Sequence, residues 1–112
     1  MAAPKPSCTK RHRRLFRVSD PNGLHMRPAA LLARAASLFD SDVFVQRGAA
    51  VARGKSLMEL LKLAAGPGEL LAIITEGSDA VESMNGLEDV FRQHAFLINA
   101  SLWPVRENAG AG

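Results

Sequence analysis

The sequence predicts an α+β domain with elements in the order β-α-β-β-α-β-α. Three observations carry that prediction. An Ala/Leu-rich stretch following Pro28 consists almost wholly of strong helix formers. DVFVQR at 42–47 alternates apolar and polar residues, and ELLAIITE at 69–76 is the strongest strand signal in the chain. Ser56-Leu57-Met58-Glu59 and the Asp79/Glu82 pair have the spacing of helix-opening boxes.

In chain order, residues 1–13 read as a basic flexible leader, 14–95 as the folded domain and 96–112 as a C-terminal extension. A strand from Leu15 to Val18 places Phe16 and Val18 on one face. Ser19-Asp20-Pro21-Asn22-Gly23 is dense in turn formers and is a loop. The helix that follows runs to Phe39. Pro28 is acceptable only in its first turn, where no backbone N–H is needed. Its apolar face is Ala29, Leu32, Ala36 and Phe39, and Ala30, Arg34 and Ser37 look outward. The strand at 42–47 turns at Gly48 into a return strand from Ala50 to Arg53. Ser56 caps a short helix ending near Leu63, and Gly66-Pro67-Gly68 separates it from the strand at 69–76. A last helix extends from Asp79 to His94.

With 112 residues, the chain is long enough for one core and too short for two. It is 47% hydrophobic and 22% charged, a globular balance. The formal charge of +3 divides unevenly. Residues 1–17 hold Lys5, Lys10, Arg11, Arg13, Arg14 and Arg17 with no acid, and the remainder holds eight Lys and Arg against eleven Asp and Glu. A basic leader thus precedes a body of net −3. The single cysteine, Cys8, argues against a disulfide-built secreted fold. No apolar run approaches the roughly 18 residues that span a bilayer, and no apolar segment follows the basic N-terminus as a signal peptide requires. A cytoplasmic protein without membrane insertion is expected. Three histidines, one cysteine and no close carboxylate cluster predict neither a metal site nor a cofactor.

The chemistry centres on Gly23-Leu24-His25-Met26-Arg27-Pro28. A histidine just before a helix lies beside unpaired backbone N–H groups and the positive end of the helix dipole, a place that suits an anion. Arg27 adds a guanidinium that grips phosphate oxygens. Imidazole is a nucleophile near neutral pH. Such a site can accept a phosphoryl group, hold it without a metal and pass it on. Taken alone, the pair reads first as a loop-end or capping histidine and a solvated arginine.

The wider sequence decides between these readings. Residues 21–30, PNGLHMRPAA, resemble the active-site segment of HPr, the histidine phosphocarrier of the bacterial sugar phosphotransferase system. Lys55-Ser56-Leu57-Met58 with Leu63 and Gly68 resembles that family's second signature. Glu76-Gly77-Ser78-Asp79 before the last helix is a third match, and the three blocks keep family-like spacing over 14–94. The resemblance implies an open-faced β-sandwich: a four-stranded antiparallel sheet with three helices on one face. It implies that His25 is the phosphoryl acceptor, through either ring nitrogen, and Arg27 its phosphate-stabilising partner. It implies enzyme I as donor and the IIA domains of sugar permeases as acceptors, so the chain is a carrier and not itself an enzyme. Docking falls to Met26, Ala30, Arg34, Leu57, Met58 and Leu61. Ser56 matches the regulatory serine that HPr kinase/phosphorylase modifies. A phosphate there would place a charge of about −2 beside Leu57 and Met58 and weaken docking. Met26 departs from the small or hydroxyl residue common after the histidine, and Ala64 from the usual glycine ending the second helix.

Two rivals are kept. One is a nitrogen-type or purely regulatory branch of the same family. The other is nucleic-acid binding through the basic leader, which has neither interleaved aromatics nor a reader motif; no nucleic-acid partner is expected. Strand phasing turns Phe16, Val18, Val43, Val45, Leu71, Ile73 and Thr75 toward the helices. Leu15, Phe44, Leu70, Ala72 and Ile74 then lie on the outer sheet face, more apolar than a solvated face requires. The tail around Phe96–Trp103, with Trp103 as its anchor, is expected to cover that face, or the face to pair two chains; otherwise the protein is expected to be a monomer.

Overall fold

Alternation of large apolar side chains along four strands determines which way the sheet faces. In the computed structural model, which describes residues 10–100, these are β1 (Lys10–Val18), β2 (Asp42–Arg47), β3 (Ala50–Arg53) and β4 (Leu70–Gly77). A fifth, β5 (Leu97–Asn99), completes a sheet of order β3-β2-β4-β1-β5 in which every neighbouring pair is antiparallel. Helices α1 (Met26–Ala36), α2 (Leu57–Lys62) and α3 (Ala80–His94) complete the α+β, open-faced arrangement. Among the described residues no helix is long and apolar enough to cross a membrane.

The seven residues expected to face the helices, Phe16, Val18, Val43, Val45, Leu71, Ile73 and Thr75, are all buried. Thr75 is tolerated there because its hydroxyl donates to the Ala80 carbonyl at 2.9 Å. Helix α1 contributes Ala29, Leu32 and Ala36, each fully buried, so its periodicity is as read. Phe91 of α3 stands between Phe16 and Phe96, with ring centroids 5.0 and 5.4 Å away and both pairs edge-to-face. Each such side chain stabilises the fold by about 1.5–3 kcal/mol through burial.

Four element boundaries or roles differ from the sequence reading. Strand β1 begins at Lys10, not Leu15, because backbone pairing with β4 continues to Lys10↔Gly77 whatever the side chains are. Residues 10–13, placed in the leader, are therefore sheet residues whose charges are partly matched: Arg11 pairs with Glu76 at 2.8 Å. Arg14 likewise bonds Glu88 and Asn85 of α3. Helix α1 stops at Ala36, before Phe39. The Ser37 hydroxyl takes the Ala33 carbonyl at 2.8 Å, and the Leu38 and Phe39 amides turn back to Ala35 and Ala36. Asp79 occupies the N-cap position of α3, but its side chain makes no bond to that helix. Instead it accepts the amides of Asp40 and Ser41, at 3.0 and 2.8 Å, and the Ser41 hydroxyl, clamping the entry to β2.

The fourth difference concerns the tail. Phe96 and Leu97 are buried in the core, and β5 pairs with Phe16–Val18 at the sheet edge. Thus the part of the tail within the described residues widens the sheet from the expected four strands to five and does not lie across its outer face. Two buried apolar side chains on the helix side and an open β1 edge explain this placement. Leu102 and Trp103 fall outside the described residues. On the outer face Ala72 and Ile74 are buried, Leu15 and Phe44 half-buried, and Leu70 exposed.

Candidate functional site

The β1–α1 loop is built as a chain of short-range hydrogen bonds. Asp20 Oδ1 accepts the Asn22 amide at 2.9 Å, an Asx turn, and the Asp20 carbonyl accepts the Gly23 amide at 2.9 Å. Gly23 then adopts φ +76° and passes so close to the loop after α2 that a Cβ would lie 2.5 Å from the Ala65 carbonyl oxygen. The next amide, that of Leu24, donates to that same oxygen at 2.9 Å, and the Leu24 side chain is buried. The chain is therefore pinned immediately before the histidine.

His25 is the N-cap residue of α1, with extended backbone (φ −89°, ψ −168°) and no side-chain cap bond. Its carbonyl accepts the Ala29 amide at 3.0 Å, and Pro28 has no N–H. The amides of Met26 and Arg27 thus stand at an open helix terminus with no acidic residue in the first turn. The His25 ring is about one-third exposed, and its Nε2 lies 3.3 Å from Asp20 Oδ1. Arg27 is exposed and, with Asp20, Pro28, Leu31, His94 and Phe96, lines a small depression beside the loop. An anion on the imidazole would meet backbone N–H groups and a guanidinium.

Ser56 is the N-cap of α2, and its hydroxyl accepts the Glu59 amide at 3.3 Å. The other half of the box is redirected. Glu59 Oε1 accepts the Arg53 amide at 2.8 Å, while Oε2 meets the Arg53 guanidinium. These bonds from Arg53 hold the Glu59 carboxyl below its ordinary pKa, and the pairing raises that of Arg53. A second pair, Arg47–Glu69, does the same beneath the loop that receives Gly23. Glu69 accepts from Arg47 and from the Gly66 amide, its pKa is lowered, and that of Arg47 is raised.

The sequence-derived docking residues are not equivalent. Met26 and Met58 are 59% and 67% exposed, unusual for large apolar side chains. Ala30, Arg34 and Leu57 line one shallow depression between α1 and α2, together with Ala33, Ser37 and Lys55. Leu61 is half-buried and packs against the core. Two contributors were missed from sequence: Asp20, read only as a turn former, and the Ala65 carbonyl. The Asp-Pro-Asn-Gly turn was the available signal for Asp20, since a chain reversal returns it toward His25. Among the described residues no cluster of three His, Cys, Asp or Glu side chains could hold a metal ion.

Comparison with known proteins gives a consistent result. Residues 12–93 match the family model described as the PTS HPr component phosphorylation site. The chain is 40% identical over 76 residues to the phosphocarrier protein HPr of Treponema pallidum, covering 68% of this chain and 86% of that one. It is 42% identical over 65 residues to the HPr-like protein Crh of Halalkalibacterium halodurans, covering 58% and 77%. The solved histidine-containing phosphocarrier protein of Mycoplasma superposes with a TM-score of 0.74 at 27% identity, covering 77% of this chain and 98% of that one.

Proposed function

This chain belongs to the HPr family of phosphocarriers of the phosphotransferase system, and on that premise we propose that it carries a phosphoryl group on His25, received from enzyme I and delivered to IIA domains. The observation that carries the reading is His25 itself. It is a partly exposed imidazole at an open helix terminus, beside the exposed Arg27, inside the segment matched by the phosphorylation-site model. Arg27 steadies the phosphate oxygens, and the amides of Met26 and Arg27 add partial positive charge. The protein does not turn over substrate by itself. It works in the cytoplasm, and its partners complete each transfer.

Met26, Ala30, Arg34, Leu57, Met58 and Leu61 form the surface that partners meet, an apolar centre with a basic member that suits an acidic, apolar counterpart. Ser56 is the regulatory position, and modification there adds negative charge next to Leu57 and Met58. A purely regulatory role is the second reading, favoured by the similarity to the HPr-like protein Crh.

The direct test supplies phosphoenolpyruvate and enzyme I and follows intact mass. One phosphoryl group is expected on the wild type and none on His25→Ala; labelling of that variant refutes the assignment. Transfer onward to purified IIA domains separates the carrier from the regulatory reading. Incubation with HPr kinase/phosphorylase and ATP should label the wild type and not Ser56→Ala, and equal labelling would remove Ser56 from the account.

A further inference from the structure

The loop before α1 returns Asp20 to the histidine ring, with Oδ1 3.3 Å from Nε2. The carboxylate is not free to wander. The same oxygen accepts the Asn22 amide at 2.9 Å, and the Asp20 carbonyl accepts that of Gly23 at 2.9 Å. Its side chain is 23% exposed against 37% for the ring, so the contact is partly shielded from water. No acidic residue occupies the first turn of α1, and among the described residues no other carboxylate pairs with His25.

A carboxylate facing one ring nitrogen fixes which nitrogen carries the proton. We propose that Asp20 is a positioning residue for His25: it engages Nε2–H, holds the ring against rotation and leaves the Nδ1 lone pair as the nucleophile. This rests on the carrier reading of His25. In the transfer, the Nδ1 pair forms the new N–P bond as the bond from phosphorus to the phosphorylated donor protein breaks. The electron pair of that broken bond returns to the donor. The imidazole becomes a cation with its proton still on Nε2, where the Asp20 carboxylate faces it. Onward transfer reverses the step, and the N–P pair returns to the ring.

The competing role for Asp20 is purely that of turn former, and two substitutions separate the roles. Asp20→Asn keeps an acceptor at both places without the charge. Asp20→Ser keeps the turn through its hydroxyl but is too short to reach the ring. In full-length protein, Asp20→Ser should slow phosphorylation by enzyme I about tenfold in kcat with KM unchanged, and Asp20→Asn about threefold. The amide signals of Asn22 and Gly23 should stay in place. Long-range 1H–15N spectra of the unmodified protein should show Nε2–H alone in the wild type and a share of Nδ1–H in Asp20→Ser. Wild-type rates in Asp20→Ser, identical ring spectra, or losses that track displaced Asn22 and Gly23 amides would each overturn the proposal. If enzyme I labels not even the wild type, the carrier reading fails, while the ring spectra still decide the role of Asp20.

Discussion

Gly23→Ala tests how tightly the histidine loop is tied to the rest of the domain. Two costs arise in the folded state. At φ +76° an alanine costs about 1 kcal/mol relative to glycine. Its Cβ would also stand 2.5 Å from the Ala65 carbonyl oxygen, far inside van der Waals contact, so the two segments must part. Parting them strains or breaks the 2.9 Å bond from the Leu24 amide to that oxygen, a further loss of about 1 kcal/mol or more. The expected total is about 2–3 kcal/mol, on the order of 10–20 °C in Tm for a domain of this size. Gly48→Ala is the internal control. It has φ +59° and nothing within 4 Å of the added Cβ, so it carries only the conformational cost, about 1 kcal/mol. Any stabilisation through the unfolded chain is common to both variants and cancels in their difference. Urea unfolding with equal m-values is the measurement. If Gly23→Ala costs no more than Gly48→Ala, the loop is not pinned against Ala65 and the account of the site's rigidity is wrong.

Ala64 adopts φ +54°, so Ala64→Gly should stabilise the fold by about 0.5 kcal/mol, the relief of strain less the entropy of glycine; a lowered urea midpoint would contradict this. Phe91→Ala removes the ring between Phe16 and Phe96 and should cost about 3–5 kcal/mol, read by thermal unfolding. The Asp79 carboxyl is held below its ordinary pKa by the Ser41 hydroxyl and the amides of Asp40 and Ser41. A folded-state pKa below the unfolded one means that the stabilisation is complete above about pH 4 and is lost as pH falls through the folded value. Asp79→Asn should therefore flatten the acid limb of the stability curve below about pH 4, and an unchanged acid limb would refute the linkage.

Much of the fold was legible because the responsible signals are local. Period-two alternation placed seven strand residues on the buried face, and helix periodicity placed Ala29, Leu32 and Ala36. What was not legible depends on partners far along the chain. Lys10 to Arg14 have no apolar pattern to mark them as a strand, yet β4 supplies the backbone they pair with. The carboxylate of Asp79 has helix-capping chemistry by type, but Asp40 and Ser41 arrive across the fold and take it. Phe96 and Leu97 looked like a cover for an exposed sheet face. The open edge of β1 and the ring of Phe91 instead gave them a partner on the other side.

The site follows the same division. His25, Arg27 and Ser56 could be singled out as candidates because helix starts announce themselves in sequence, whereas Asp20 needed the turn to be folded before its carboxylate met the ring. Charge shows the physical reason most clearly. The six basic residues among 1–17 resemble an electrostatic arm for a polyanion. In the folded chain, Arg11 is matched by Glu76, Arg14 by Glu88, Arg47 by Glu69 and Arg53 by Glu59. Pairing of this kind spends cations on holding strands and helices together, and it reduces the field available to a distant anion. Arg27 and Arg34, by contrast, are exposed on α1 and form no ion pair among the described residues. A cation's position after folding, and not its count along the chain, therefore selects which anion it serves. On α1 the two differ in place: Arg27 stands in the first turn, next to His25, and Arg34 in the last, toward α2.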